Sequence, residues 1–168
     1  GDFYGRKLAR HGRLSLLMSD AAGHGAQAAL IAAMVKTLFE EYAPRYVDPA
    51  RLLTRLNTAL CTILKDVQTF ITAVNIVIDP ATMRLTYANG GHPFAWVAGP
   101  GGSFRELGET GGLLGAFPEL RFRKRSVALA PGDMILLFTD GVVESLDDEE
   151  KEYGTARLKR IFMDHHAE

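Results

Sequence analysis

The sequence lacks several features that would define a class of protein. Its one cysteine, Cys61, cannot form an internal disulfide, which is compatible with a reducing cytoplasm. The apolar run over residues 28–35 is far shorter than the roughly 20 residues of a membrane-spanning helix. The 19 basic and 20 acidic residues give a net charge of −1, which offers no attraction to nucleic acid or an anionic membrane. We therefore expect a cytoplasmic protein with neither of these partners.

The first part of the chain predicts one strand followed by two helices. Hydrophobic residues make up 47% of the sequence, enough for one domain with a sizeable core. A short buried strand is predicted over residues 14–18, and a helix over residues 25–42 that is apolar on nearly every side and should lie under other elements. A second helix is predicted from Asp48, a capping residue that Pro49 follows in the first turn.

The rest of the chain predicts a series of short strands. Residues 69–78 are apolar at both odd and even positions, as in a strand that is covered on both faces. A turn at 79–82 joins this strand to another over 84–88. Further strands are predicted over residues 94–98, 104–107, 121–129 and 134–138, then a charged loop over 144–152 and a last helix from about Thr155. Two helices followed by such a meander predict an α+β fold, with antiparallel sheet packed against helices.

Three aspartates lie beside or close to glycine at the chain entry or at predicted strand ends. They are Asp2, Asp20 and Asp140. Each has an ordinary interpretation: Asp20 could cap the helix that follows, and Asp140 could begin a type I turn. If the three converge, their repulsion requires a cation, and oxygen ligands favour Mg²⁺ or Mn²⁺ over zinc. The residues alone leave both interpretations open.

Six segments occur in an order that is typical of one family. They are GDFY, SDAAGHGAQAALIAAMV, TYANGGHPF, GGLLGAFPE, APGDMILLFTDGVVES and EYGTARL. Over essentially the whole chain, the sequence resembles the bacterial SpoIIE-like phosphatases of the RsbU and RsbP type, relatives of the metal-dependent PP2C serine/threonine phosphatases. The resemblance implies an αββα sandwich, in which two antiparallel sheets are flanked by helices and a dinuclear metal site lies at one edge.

The resemblance also implies a ligand set, a reaction and partners. Asp2, Asp20 and Asp140 would be metal ligands with the backbone carbonyl of Ala21, and Asp20 would bridge two Mn²⁺ or Mg²⁺ ions. Asp20 and His24 are the catalytic candidates, although a histidine in a Gly-His-Gly turn could equally brace the loop. The implied reaction is hydrolysis of phosphoserine or phosphothreonine by a metal-activated water. The implied substrate is a phosphorylated STAS-type anti-anti-sigma protein, and an upstream sensor or receiver domain is expected.

The sequence departs from the family pattern at two places. Gly5 stands where the first motif usually has a second aspartate, so an outer-shell metal contact is expected to be missing. The family's final Asp-Asp-(Ile/Met)-Thr strand, which carries another ligand, does not occur before Glu168. We therefore expect a SpoIIE-like domain over residues 1–168 that is truncated at its C-terminal end. The alternative is a non-catalytic PP2C-fold binding module with an incomplete metal site.

Other polar residues have competing interpretations. His92, in the segment NGGHPF, could support its loop or take part in chemistry, and Cys61 is expected to pack beside the apolar stripe of its helix. The basic run Arg121, Arg123, Lys124 and Arg125 predicts a solvated edge strand or a docking surface for an acidic partner. A nucleotide-binding ATPase built on the Gly-His-Gly turn is disfavoured, because no lysine or GxGxxG loop accompanies that turn.

Overall fold

The computed structural model describes residues 1–67 and 69–164. They form two compact units, one with residues Gly1–His92 and Gly108–Leu129, the other with Pro93–Leu107 and the chain from Ala130 onward. The strands are β1 (Asp2–Leu8), β2 (Leu14–Ala21), β3 (Ile71–Asp79), β4 (Arg84–Gly90), β5 (Ala95–Gly99), β6 (Ser103–Leu107), β7 (Arg125–Ala128) and β8 (Met134–Leu136). The α-helices are α1 (Gly25–Tyr42), α2 (Pro49–Ile63), α3 (Asp140–Val143) and α4 (Thr155–Asp164).

The first unit contains an antiparallel sheet with helices α1 and α2 packed against it. Its strand order is β1-β2-β3-β4-β7. Along β2 every second residue is buried, as expected of a strand with one face in the core. The core of this unit brings Leu17 of β2 and Ala73 of β3 together with Phe39 of α1 and Leu56 of α2. This packing of the helices on the sheet fixes the positions of the strand ends within the unit.

Helix α2 follows the predicted rules closely. The Asp48 carboxylate caps it by accepting hydrogen bonds from the backbone N–H groups of Ala50 and Arg51, at 3.0 and 3.2 Å. Its leucine stripe is fully buried. Cys61 is half-buried on this helix, where burial and the charge of Glu119 raise the pKa of its thiol. These features confirm the predicted helix start and agree with a packing role for the cysteine.

The expectation that α1 is covered on nearly every side is wrong. The helix buries one face, which carries Ala28, Ile31, Val35 and Phe39, while Leu30 on another side is 63% exposed. In a helix rich in alanine, apolar composition on every side does not require burial on every side, because small side chains leave little apolar surface to cover.

Among the described residues, no helix combines the length and apolarity that crossing a membrane would need.

One strand is missing from the predictions, and one predicted strand needs correction. Strand β1 was not predicted, because its sequence DFYGRKL mixes charged, aromatic and glycine residues. In the structure, its residues alternate between exposed and half-buried. The strand expected over 121–129 is reduced to β7 at the sheet edge, so most of the basic run precedes it. The β3–β4 hairpin is confirmed, with Asp79 Oδ1 accepting from Ala81 N and Thr82 N at its turn.

The second unit contains the antiparallel sheet β6-β5-β8 and helices α3 and α4. Its centre is Trp96, whose side chain is fully buried. The rings of Phe104, Phe138 and Phe162 surround the indole, with centroids at 5.6, 4.7 and 6.1 Å. The helices and the all-antiparallel pairing of both sheets confirm the predicted α+β class.

Candidate metal centre

A polar row crosses the first sheet where β1, β2 and β3 meet. Asp2 of β1 lies directly opposite Asp20 of β2, and Asp20 lies directly opposite Thr72 of β3. Directly opposite residues of antiparallel strands project from the same face, with Cβ atoms about 4.5–5.5 Å apart. Asp2 is exposed, and the Asp20 side chain is 25% exposed. The predicted ligands Asp2 and Asp20 are therefore brought together.

Oxygen atoms of the turn after β2 converge on the backbone nitrogen of Gly1. This nitrogen lies 2.8 Å from Asp20 Oδ1, 2.6 Å from the carbonyl oxygen of Ala21 and 3.5 Å from that of Gly23. These three oxygen atoms therefore face one point. A carboxylate combined with backbone carbonyls is the donor set of hard divalent ions. Asp20 and Ala21 thus fit the metal that the sequence implied, and Gly23 adds a carbonyl that was not predicted.

The backbone after Asp20 explains the glycines of this turn. Gly23 has φ +95° and Gly25 has φ +76°, values that L side chains rarely adopt. This path turns the carbonyl oxygen of Gly23 toward the same nitrogen as the Ala21 carbonyl, and the chain then enters α1 directly. The glycines therefore allow two carbonyl donors within one tight turn.

The capping interpretation of Asp20 is wrong. The residue that caps α1 is His24, with an extended backbone, and its own side chain makes no capping hydrogen bond. Asp20 lies within β2, and its Oδ1 accepts from the backbone nitrogen of Gly1 instead. A conventional N-cap accepts from the backbone two or three residues ahead, which this aspartate does not do.

His24 is exposed at the start of α1. Its ring makes no hydrogen bond with any residue in the described part of the chain, so the alternative in which it braces the turn is not observed. The turn is fixed by backbone instead, with Ala22 N donating to Phe70 O at 3.0 Å. The catalytic role of His24 stays a prediction.

Asp140 belongs to the second unit. It is the first residue of α3, with Thr139 as N-cap, and its exposed carboxylate accepts from Gly141 N at 2.9 Å. It opens a short helix, where the sequence offered an isolated turn. Over residues 1–67 and 69–164, no three or more His, Cys, Asp or Glu side chains group as a metal cluster. The share of Asp140 in the metal site therefore stays a prediction.

Thr72, which belongs to the polar row, contacts His92, for which the sequence left a supporting role open. The hydroxyl of Thr72 lies 2.8 Å from Nδ1 of His92, whose side chain is fully buried. Asn89 holds the backbone of the same loop, accepting from His92 N at 2.9 Å and donating to His92 O at 3.0 Å. These contacts agree with a supporting role for His92. Thr72 carried no signal in the sequence, because its position opposite Asp20 depends on strand register.

The expectation that Gly5 marks a lost metal contact is wrong for this structure. A Cβ atom at Gly5 would lie 2.7 Å from Phe3 Cζ and 3.0 Å from the buried ring of Phe39. Since alternate residues of a strand face opposite ways, a side chain at position 5 projects away from the face that carries Asp2. An aspartate there would meet α1 instead of the polar row.

Comparison with known proteins identifies the family. Residues 10–168 match the family described as Stage II sporulation protein E (SpoIIE). The chain belongs to the SpoIIE family. Among curated SpoIIE-type relatives, the phosphoserine phosphatase RsbP of Bacillus subtilis is 29% identical over 147 residues, which cover 86% of this chain and 36% of RsbP. This SpoIIE-family chain thus spans about a third of that relative's length.

Solved structures agree with the family assignment. The SiaA-PP2C domain of Pseudomonas aeruginosa is 25% identical with a TM-score of 0.80, over 98% of this chain and 65% of that one. RsbX, crystallised in complex with magnesium, has a TM-score of 0.70 at 21% identity, over 95% of this chain and 77% of that one. These likenesses confirm the predicted PP2C-like fold for this SpoIIE-family chain.

Proposed function

We propose that this chain is a metal-dependent protein serine/threonine phosphatase domain of the PP2C type. The observation that carries the proposal is the convergence of the Asp20 carboxylate and the carbonyls of Ala21 and Gly23 on one point beside the Gly1 backbone nitrogen, with Asp2 directly opposite Asp20. The family membership and the similarity to the phosphoserine phosphatase RsbP support the reaction type.

We propose that Asp2, Asp20, the carbonyl of Ala21 and Asp140 would hold two Mn²⁺ or Mg²⁺ ions. Two such ions would lower the pKa of a shared water and neutralise phosphoryl oxygens, without a covalent enzyme intermediate. Oxygen donors favour these hard ions, and RsbX, of the same fold, was crystallised with magnesium. Asp140 lies in the second unit, so its inclusion rests on the family motif alone.

The protein's own groups would orient the substrate at this site. The first N–H groups of α1 have no intrahelical partner, and they follow directly on the turn that carries the carbonyl donors. Such a helix start attracts phosphate oxygens. The exposed ring of His24 is available there to protonate the departing serine or threonine oxygen. Thr72, held by buried His92, would keep the β3 side of the polar row fixed.

The substrate that we propose is a phosphorylated STAS-type anti-anti-sigma protein in the cytoplasm. The similarity to the phosphoserine phosphatase RsbP supports a phosphoserine substrate, and the STAS-type class rests on the family resemblance. An upstream sensor or receiver domain would then control the phosphatase, which is consistent with the share of RsbP that lies outside the similar region.

Hydrolysis of p-nitrophenyl phosphate by the full-length protein tests the proposal. We expect turnover that requires Mn²⁺ or Mg²⁺ and that stops after exhaustive EDTA treatment, because all proposed ligands are oxygen atoms. Undiminished turnover without metal would exclude the mechanism. Absence of turnover with every divalent ion, in a folded protein, would favour a non-catalytic binding module.

A further inference from the structure

We infer that a basic groove on the first unit docks an acidic segment of a partner protein. The groove, with a volume of 460 Å³, lies between the start of α2 and the segment that precedes β7. This basic groove is the surface formed by Tyr46, Arg51, Arg55, Arg121, Phe122 and Lys124. Its cations are not the residues of the candidate metal centre.

The positive charge of the groove is largely uncompensated. Lys124 pairs with the Asp48 carboxylate, which also lines the groove. Within the described residues, Arg51, Arg55 and Arg121 have no carboxylate oxygen within 4.0 Å. Because the whole chain has a net charge of −1, this local excess of positive charge does not follow from the overall composition. A surface of this kind attracts a segment of opposite charge.

Two of the three arginines, Arg121 and Arg55, are held so that their guanidinium groups remain available. Arg121 donates to the carbonyls of Pro118 and Leu120 at 3.2 and 3.0 Å, which orients the group without neutralising it. The Arg55 guanidinium lies 5.7 Å from the centre of the Tyr46 ring. Stacking on an aromatic ring leaves the edge donors of arginine free for bidentate contact with carboxylates.

The floor of the groove is apolar. Phe122 is 7% exposed, and Ala50 at the start of α2 is also buried. An apolar floor under a cationic rim suits a peptide that carries both acidic and apolar side chains. A nucleic acid backbone presents phosphates without apolar side chains, so it would use the rim and leave the floor uncovered. The lining therefore favours a protein segment.

The two walls of the groove are fixed to each other before any partner binds. Asp48 caps α2 through the N–H groups of Ala50 and Arg51, while its other oxygen accepts from Lys124 on the opposite wall. Arg123 N donates to Thr110 O at 3.0 Å, which anchors the second wall to the unit. A preorganised surface loses less conformational entropy when a partner binds. Weak charge contacts can therefore be enough to hold the acidic segment.

Binding of a fluorescein-labelled peptide of repeating Glu-Asp-Leu units to the full-length protein tests the inference. We expect fluorescence anisotropy to show binding that salt weakens, and the double substitution Arg51→Glu with Arg55→Glu to weaken it at least about tenfold. Arg10→Glu is the matched control, since Arg10 is also exposed and lies outside the groove. It should leave the affinity unchanged.

Neutral substitutions and a competing ligand complete the test. Arg55→Met should weaken peptide binding by less than the charge reversal, with an unchanged melting temperature in each variant. Turnover of p-nitrophenyl phosphate should be the same in all variants, so this result is independent of the phosphatase proposal. Equal affinity in the double variant, no peptide binding, or tighter binding of a single-stranded oligonucleotide of equal charge would each overturn the inference.

Discussion

Asp2 and Asp20 are direct cross-strand partners, and Asp20 Oδ1 lies 2.8 Å from the backbone nitrogen of Gly1. Like charges directly opposite each other on adjacent strands destabilise a sheet. A protein that keeps two carboxylates in this arrangement gains stability when a cation binds between them. The pair therefore connects sheet register with metal binding, and both can be measured.

Metal should stabilise the protein, and this effect should depend on Asp2. We expect Mn²⁺ or Mg²⁺ to raise the melting temperature of the full-length protein by ligand linkage. Asp2→Asn should reduce that rise. Differential scanning fluorimetry over a metal titration measures the rise for both proteins. A variant with the full metal-dependent rise would show that Asp2 is not a ligand.

Removing the Thr72 hydroxyl should weaken the fold. Thr72→Val deprives Nδ1 of the buried His92 of a hydrogen bond at 2.8 Å, which should lower the free energy of unfolding by about 1–3 kcal/mol. Thr72→Ser keeps the hydroxyl and serves as the control. Urea unfolding of the two variants checks the difference. If the valine variant is as stable as the serine variant, the contact with His92 contributes nothing.

Asp48 should make stability depend on acid pH. Burial raises the pKa of its carboxyl, but hydrogen bonds from Lys124, Arg51 N and Ala50 N outweigh burial and lower it overall. A lowered folded-state pKa gives stability that is present above the unfolded pKa and is lost as pH falls through the folded value. The wild type should therefore lose more stability below about pH 4 than Asp48→Asn, which cannot titrate.

The same residue allows a separate test of the helix cap. At pH 7, Asp48→Ala should lower the free energy of unfolding by about 0.5–2 kcal/mol, whereas Asp48→Asn retains much of the cap. Urea denaturation at pH 7 and pH 3 compares all three proteins. Parallel loss of stability in the wild type and the asparagine variant on acidification would mean that Asp48 does not contribute to the pH dependence.

The sequence predicted the elements whose structure depends on residues close together along the chain. Helix α2 follows from a capping aspartate, a proline in the first turn and a leucine stripe, and the β3–β4 hairpin follows from the turn at Asp79. The resemblance also supplied the ligand candidates, of which Asp2, Asp20 and Ala21 are brought together.

Features that depend on contacts between distant segments could not be predicted from the sequence. Strand β1 has little strand character of its own, and it is defined by pairing with β2 over its whole length. The place of Thr72 beside Asp20 and the direction of a side chain at Gly5 both follow from register. A slip of one residue would move each to the opposite face, and no local pattern in the sequence specifies that register.

The most direct test of the proposed metal centre is a Mn²⁺ titration of p-nitrophenyl phosphate turnover by Asp20→Asn in the full-length protein. Asp140→Asn is measured alongside, and thermal melts control for folding. If Asp20 lies between two ions, its asparagine variant should melt normally and show no turnover at any Mn²⁺ concentration, whereas excess Mn²⁺ should restore part of the activity of Asp140→Asn. An Asp20→Asn protein that melts normally and turns over at a rate close to the wild type would contradict the proposed metal centre.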